Sequence, residues 1–298
     1  MNFQLNLAHP STIFFQLSAF KKKPRKQMKI RILLLLTLTF FKLHAQILNG
    51  KVYSEETKLP IPFARIGIEK SEYGTTSDEN GNFSIDLSNK DKKEKIKIEV
   101  GGYEPYSNSV ENFLLENNKT FFLSEKVVNV ERVEITPKKF VAKKWGINAK
   151  TKKILFIYNP QKNQQDISKE IALPFETKKR AKIERININI AYFEADRPVF
   201  VRYNVYDDNL NSILDEDISI LMSPKDIKDS EFSFEISDKN IWVKNKFYVS
   251  VQVLNSFKGE IALSGTVFKP AFYRKNLGQW EKTPNVCPAL NLDVKVEK

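Results

Sequence analysis

From Ile47 onward the chain is built of short alternations. Ile47–Ser54, Phe63–Glu69, Asn82–Leu87, Lys95–Val100, Thr120–Leu123 and Val128–Ile135 each exchange apolar and polar positions over a few residues, with turn residues between them. A period of two over such lengths predicts strands with one face on a core and one in solvent. Phe83, Ile85 and Leu87 against Ser84 and Asp86 show it most clearly. The second half repeats the pattern. Ile186, Ile188, Ile190 and Tyr192 alternate with Asn187 and Asn189, and Val199, Val201, Tyr203 and Val205 with Arg202 and Asn204. Phe232, Phe234 and Ile236 alternate with Ser233 and Glu235, and Phe247, Val249, Val251 and Val253 with Ser250 and Gln252. No stretch of the second half carries a helical period. The chain therefore predicts an all-β protein, with an antiparallel sandwich followed by a second, jelly-roll-like sandwich of about eight strands.

Turn chemistry supports the first half in detail. Six of the ten glycines fall between Gly50 and Gly102, and Asn80-Gly81 is the strongest hairpin signal in the chain. Asp78 is placed to cap that turn. Asp78, Asn80 and Asn82 also mimic the start of a calcium loop, but the glycine falls too early and no acid closes the loop, so no metal is assigned. Between the halves, Pro137–Lys153 reads PKKFVAKKWGINAKTKK, with seven lysines and no acid. It is expected to be a solvated linker over 138–153, cut by trypsin at Lys143 or Lys144 to release two folded fragments, with Trp145 docking on the second module. The modules are then 46–137 and 154–298.

Charge changes the picture mainly at the N-terminus. The chain has 48 basic and 36 acidic residues, a net charge of +12, yet eight of the bases and none of the acids lie in the first 45 residues, which leaves +4 for the rest. From Met28, MKIRILLLLTLTFFKLHAQ gives a positive segment, an apolar run Ile32–Phe41 and a small residue, Ala45, before Gln46. That order reads as a signal peptide within a leader of residues 1–45, cleaved between Ala45 and Gln46. As a helix the apolar run would reach only about 15 Å, against about 30 Å of hydrocarbon. The expectation is an exported protein of the periplasm, outer-membrane surface or medium, with no span left after cleavage.

Function classes fall away quickly. The two histidines, His9 and His44, lie in the leader, and Cys287 is the single cysteine. Imidazole catalysis, nitrogen and sulfur metal sites and internal disulfides are excluded from the mature chain, and Cys287 is expected to be buried. No glycine-rich phosphate cradle occurs. The lysine run has no arginine for base or phosphate forks, so nucleic acid is not expected as a partner.

GKVYSEETKLPIPFARIGIEKSEYGTTSDENGNFSIDL, IKIEVGGYEPYS and FFLSEKVVNVERVEIT, taken in order from Ile47 to about Pro137, resemble the carboxypeptidase regulatory-like domain. The resemblance implies a seven-stranded transthyretin-like (Ig-like) sandwich, of a kind common in exported proteins of Bacteroidetes-type bacteria. It brings no peptidase, since that chemistry needs zinc on two histidines and a glutamate. The second half weakly resembles the sandwich that follows this domain in other exported proteins of that type. The function expected is a non-catalytic envelope protein whose partner is an envelope protein. The alternative is a carbohydrate-binding module in the second sandwich, using Tyr206, Asp207, Asp208, Tyr273 and Trp280 as aromatic platforms and hydrogen-bonding groups. Acidic pairs such as Asp207 with Asp215 have the chemistry of a glycosidase acid and base, but acid-rich loops of this kind read as solvated turns. No cofactor, metal or catalytic residue is assigned.

Overall fold

A computed structural model describes residues 47–126, 139–163, 168–283 and 285–298. The expected cleavage point at Ala45 and Gln46 and the expected strand Val128–Ile135 lie outside them.

Among the described residues the first half forms seven strands. They are β1 (Ile47–Ser54), β2 (Arg65–Ile68), β3 (Gly74–Thr76), β4 (Asn82–Asp86), β5 (Lys95–Glu99), β6 (Tyr106–Ser109) and β7 (Thr120–Leu123). One sheet runs β4-β1-β7 and the other β3-β2-β5-β6. All neighbours are antiparallel except β1 and β7. Alternation does what the sequence asks of it: in β1 Leu48 and Val52 are buried while Asn49 and Lys51 are exposed. A short helix, α1 (Val110–Leu115), is an addition the sequence pattern did not predict. The Ser109 side chain accepts the Asn112 N–H at its start, and Phe113 stacks on Phe121 in the core with ring centroids 4.4 Å apart. Six residues, under two turns, are too short to carry a visible period, and burial rather than propensity holds the helix.

Among the described residues the second half has thirteen strands, more than the eight expected, because several are only two to four residues long. They are β8 (Phe140–Gly146), β9 (Leu155–Tyr158), β10 (Lys169–Phe193), β11 (Val199–Tyr206), β12 (Ile218–Met222), β13 (Ile227–Lys228), β14 (Glu231–Glu235), β15 (Trp242–Val253), β16 (Ile261–Val267), β17 (Phe272–Lys275), β18 (Glu281–Lys282), β19 (Val286–Pro288) and β20 (Leu290–Glu297). The 25-residue β10 organises them. Its first part pairs with β15 and β17, its later part with β14, β20 and β16. Ile183, Ile186, Ile188, Val201, Tyr203, Val249, Val251 and Leu292 fill the core between them, and each is fully buried. Burying a side chain of that size contributes roughly 1.5–3 kcal/mol.

Two expectations about organisation meet a different arrangement. The lysine-rich stretch is not simply a solvated linker, since Phe140–Gly146 is β8, paired antiparallel with β20 from Phe140↔Glu297 to Gly146↔Asn291. It satisfies backbone groups of β20 that would otherwise be an open edge. Lys143 and Lys144 therefore lie in a strand, and Trp145 packs against the second core. The described residues from Ile47 to Lys298 fall in one compact unit. No helix among the described residues is long and apolar enough to cross a membrane.

Candidate functional site

The two sandwiches meet on a row of polar side chains. Strand register sets Arg274 of β17 opposite Glu170 of β10, Glu170 opposite Gln252 of β15, Gln252 opposite Arg202 of β11, and Arg202 opposite Ser219 of β12. By alternation these positions should face water. Instead Glu170, Arg202 and Gln252 are each 1% exposed, because the first sandwich covers them.

Arg65 of β2 is the first sandwich's contribution. Its Nη2 lies 3.3 Å from Glu170 Oε2 and 3.4 Å from Gln252 Oε1, and its Nη1 is 3.7 Å from Asp217. Glu170 also receives Arg274 Nε at 2.9 Å on Oε2, and the hydroxyls of Tyr206 at 2.5 Å and Ser250 at 2.6 Å on Oε1. Burial raises the pKa of its carboxyl, but Arg274 and Arg65 more than reverse this, so it is held well below the usual range. Arg202 places Nε 3.1 Å from Asp217 and donates from Nη2 to the Phe63 carbonyl. Its Nη1 has no hydrogen-bond partner among the described residues. Three guanidiniums thus share two buried carboxylates. Burial, and then the charge of Arg65, push the pKa of Arg202 down to about 10.

Other contacts complete the joint. The Phe63 and Phe200 rings lie 4.8 Å apart, and Asn276 Nδ2 donates to the Glu72 carbonyl at 2.8 Å. Gly101 explains itself here. A Cβ on it would stand 2.3 Å from the Asp217 nitrogen, so the turn before Tyr103 must lack a side chain for the second sandwich to approach.

Beside this joint runs a groove of about 830 Å³. The first sandwich lines it with Pro60–Pro62 and Gly101–Tyr103, the second with Ile213–Ser219 and Lys239–Trp242, and Arg202 and Asp217 reach it from the joint. Its volume falls in the usual range of ligand sites. A general base needs a pKa near the working pH, and Glu170 is shifted the other way. Among the described residues no group of three His, Cys, Asp or Glu converges on a point. The groove sets apolar Ile213 and Trp242 beside charged Glu216 and Lys239.

The five sugar-binding candidates are not gathered into an exposed platform. Tyr206 is 2% exposed and meets Trp280 edge-on at 5.3 Å in a small cluster with Tyr248 and Phe272. The Arg274 guanidinium lies over both rings, 5.6 Å from Tyr206 and 4.7 Å from Trp280. Tyr206 is therefore a core residue whose hydroxyl donates to Glu170, not the exposed ring that the carbohydrate-binding alternative needs. Tyr273 packs on the main core, and its hydroxyl donates to Glu281. Asp208 is exposed and pairs with Lys246 at 3.1 Å.

Asp207 is used by its own turn. Its Oδ1 accepts the N–H of Asn209 at 2.9 Å and of Asn211 at 2.8 Å. Asp78 does the same for Asn80 and Asn82, both at 2.8 Å. One Asp-x-Asn-x-Asn turn is thus repeated in the two sandwiches, with a positive φ at Gly81 in the first and at Leu210 in the second. The cap expected at Asp78 is present, and its oxygens are engaged by the hairpin. The Asn211 N–H holds the Asp207 carboxyl below its ordinary range, the wrong direction for a glycosidase acid.

Cys287 is fully buried and its thiol is pushed up to about 11 by that burial. Sequence reasoning missed Arg65, Glu170, Arg202, Asp217 and Arg274. Arg202, a charge in the middle of an apolar strand, was the one available signal.

Residues 48–135 match the family model of the CarboxypepD_reg-like domain, so the first sandwich is a carboxypeptidase regulatory-like domain. No curated protein matches the chain. A solved structure of carbohydrate-binding modules from the β-sandwich superfamily, described for their promiscuous specificity, is 11% identical over 79% of this chain and 96% of its own. Its TM-score of 0.16 is too low for a ligand or a shared fold to follow from it.

Proposed function

We propose that this chain is an exported, non-catalytic protein of the cell envelope that holds a protein partner in the groove between its two sandwiches. The observation that carries the reading is the joint itself. Six polar side chains from both halves are buried together, and buried charges of this kind fix geometry more than they add stability. A fixed joint keeps the groove walls at a constant distance, which lowers the ordering cost of binding. Export is supported by the charged, apolar and small-residue order of residues 28–45.

The test is photo-crosslinking in the producing cells. Ile213, 41% exposed on the groove, and Leu221, 48% exposed and outside its lining, are replaced in turn by benzoylphenylalanine. One crosslinked envelope protein from position 213, absent from position 221, is expected. Equal products from both positions, saturable glycan binding weakened by Trp280→Ala, or an unprocessed cytosolic protein would each overturn the reading.

A further inference from the structure

β8 is an edge strand of an unusual kind. Phe140 to Lys144 and Gly146 are all exposed, Trp145 is half-buried, and the strand pairs with β20 alone among the described residues. Two hydrogen bonds fix which backbone groups remain outward. Lys298 N–H donates to the Lys139 carbonyl and Ile147 N–H to the Leu290 carbonyl. With the register Phe140↔Glu297 to Gly146↔Asn291, odd-numbered residues of β8 bond to β20. The N–H and C=O groups of Phe140, Ala142, Lys144 and Gly146 therefore point away from the sheet.

Such an edge is ordinarily blunted. Here the lysines blunt it selectively. A second copy pairing antiparallel about Lys143 would set lysine against lysine, and like charges directly opposite are destabilising. An acidic strand meets the opposite situation, because Lys139 and Lys143 offer cations, while Phe140 and Val141, 40% and 38% exposed, offer apolar contact. Lys144 already leans toward carboxylates, 3.7 Å from Asp293 and 3.9 Å from Glu231.

We propose that the free edge of β8 accepts an extended acidic and apolar segment of a partner protein as an added strand. Backbone pairing supplies affinity and the lysines choose the sign of the partner. The edge adjoins the groove where the Phe140 ring lies 5.9 Å from Trp242, but no β8 residue lines the groove, and either surface can fail alone.

The test uses the full chain and a fluorescein-labelled ten-residue peptide of alternating Glu and Val, read by polarisation. Saturable binding is expected. Ala142→Pro removes only an outward N–H, which an edge strand tolerates, and is expected to weaken binding by about tenfold or more, a loss of about 1.4 kcal/mol. Lys143→Glu is expected to do the same, with far-ultraviolet circular dichroism unchanged in both variants. Equal binding of the matching Lys and Val peptide would overturn the proposal, as would Glu–Val binding indifferent to Ala142→Pro. So would the absence of Glu–Val binding, or preferential binding of a DNA duplex.

Discussion

Arg65 and Glu170 stand 105 positions apart in sequence and 3.3 Å apart in space, each nearly sealed from water, one on each sandwich. The pair is where the two halves become one body. Its worth lies in what happens when it is broken, because an isolated buried charge costs far more than a surface ion pair returns.

Glu170→Gln keeps the shape and removes the charge that Arg65 and Arg274 share. A loss of about 3–5 kcal/mol in unfolding free energy is expected. Urea denaturation followed by tryptophan fluorescence measures it, and a loss under about 1 kcal/mol would show that the joint carries little of the fold's stability.

The same carboxylate sets an acid dependence. Its pKa in the folded chain lies below the unfolded value of about 4.3, so its stabilisation is complete above that value, begins to be lost as pH falls below it, and is gone once pH has fallen through the lower folded value. Several exposed carboxylates, Asp86 and Asp226 among them, are lowered in the same direction by serine hydroxyls and add to the slope. Unfolding free energy is expected to stay level around neutrality and to drop below about pH 4. The drop is expected to be shallower in Glu170→Gln, as a denaturation series across pH would record.

Gly101→Val drives a branched side chain into the Asp217 backbone, where even a Cβ has only 2.3 Å. The cost expected is about 1–3 kcal/mol or more, through separation of the sandwiches rather than loss of either core. Hydrogen exchange reports it. Faster exchange should be confined to β2, β10, β11 and the Asp215–Ser219 segment.

Tyr203 is fully buried on Phe234, and its hydroxyl has no hydrogen-bond partner among the described residues. Burial pushes its pKa far up. Tyr203→Phe deletes the unsatisfied group and keeps the ring, so a gain of about 1 kcal/mol is expected, seen as a higher thermal midpoint.

The local patterns determined a good deal. Alternation in Ile47–Ser54 and Asn82–Leu87, the Asn80-Gly81 turn and its Asp78 cap located β1, β4 and their hairpin in the first sandwich, though not β6 or α1, because strand faces and hairpin turns are set by residues within a few positions of each other. The same logic located β11, β14 and β15. What alternation does not carry is the identity of whatever covers the polar face. Arg202 and Asn204, or Ser250 and Gln252, read as solvent-facing because a strand's second face looks alike under water or under a polar neighbour. Only tertiary structure brings Arg65 across to Glu170, seats the Tyr206 hydroxyl on that same carboxylate, and makes the Pro137–Lys153 stretch partly an edge strand. Each of those depends on contacts between residues tens to more than a hundred positions apart, where the chain's own short-range pattern holds no information.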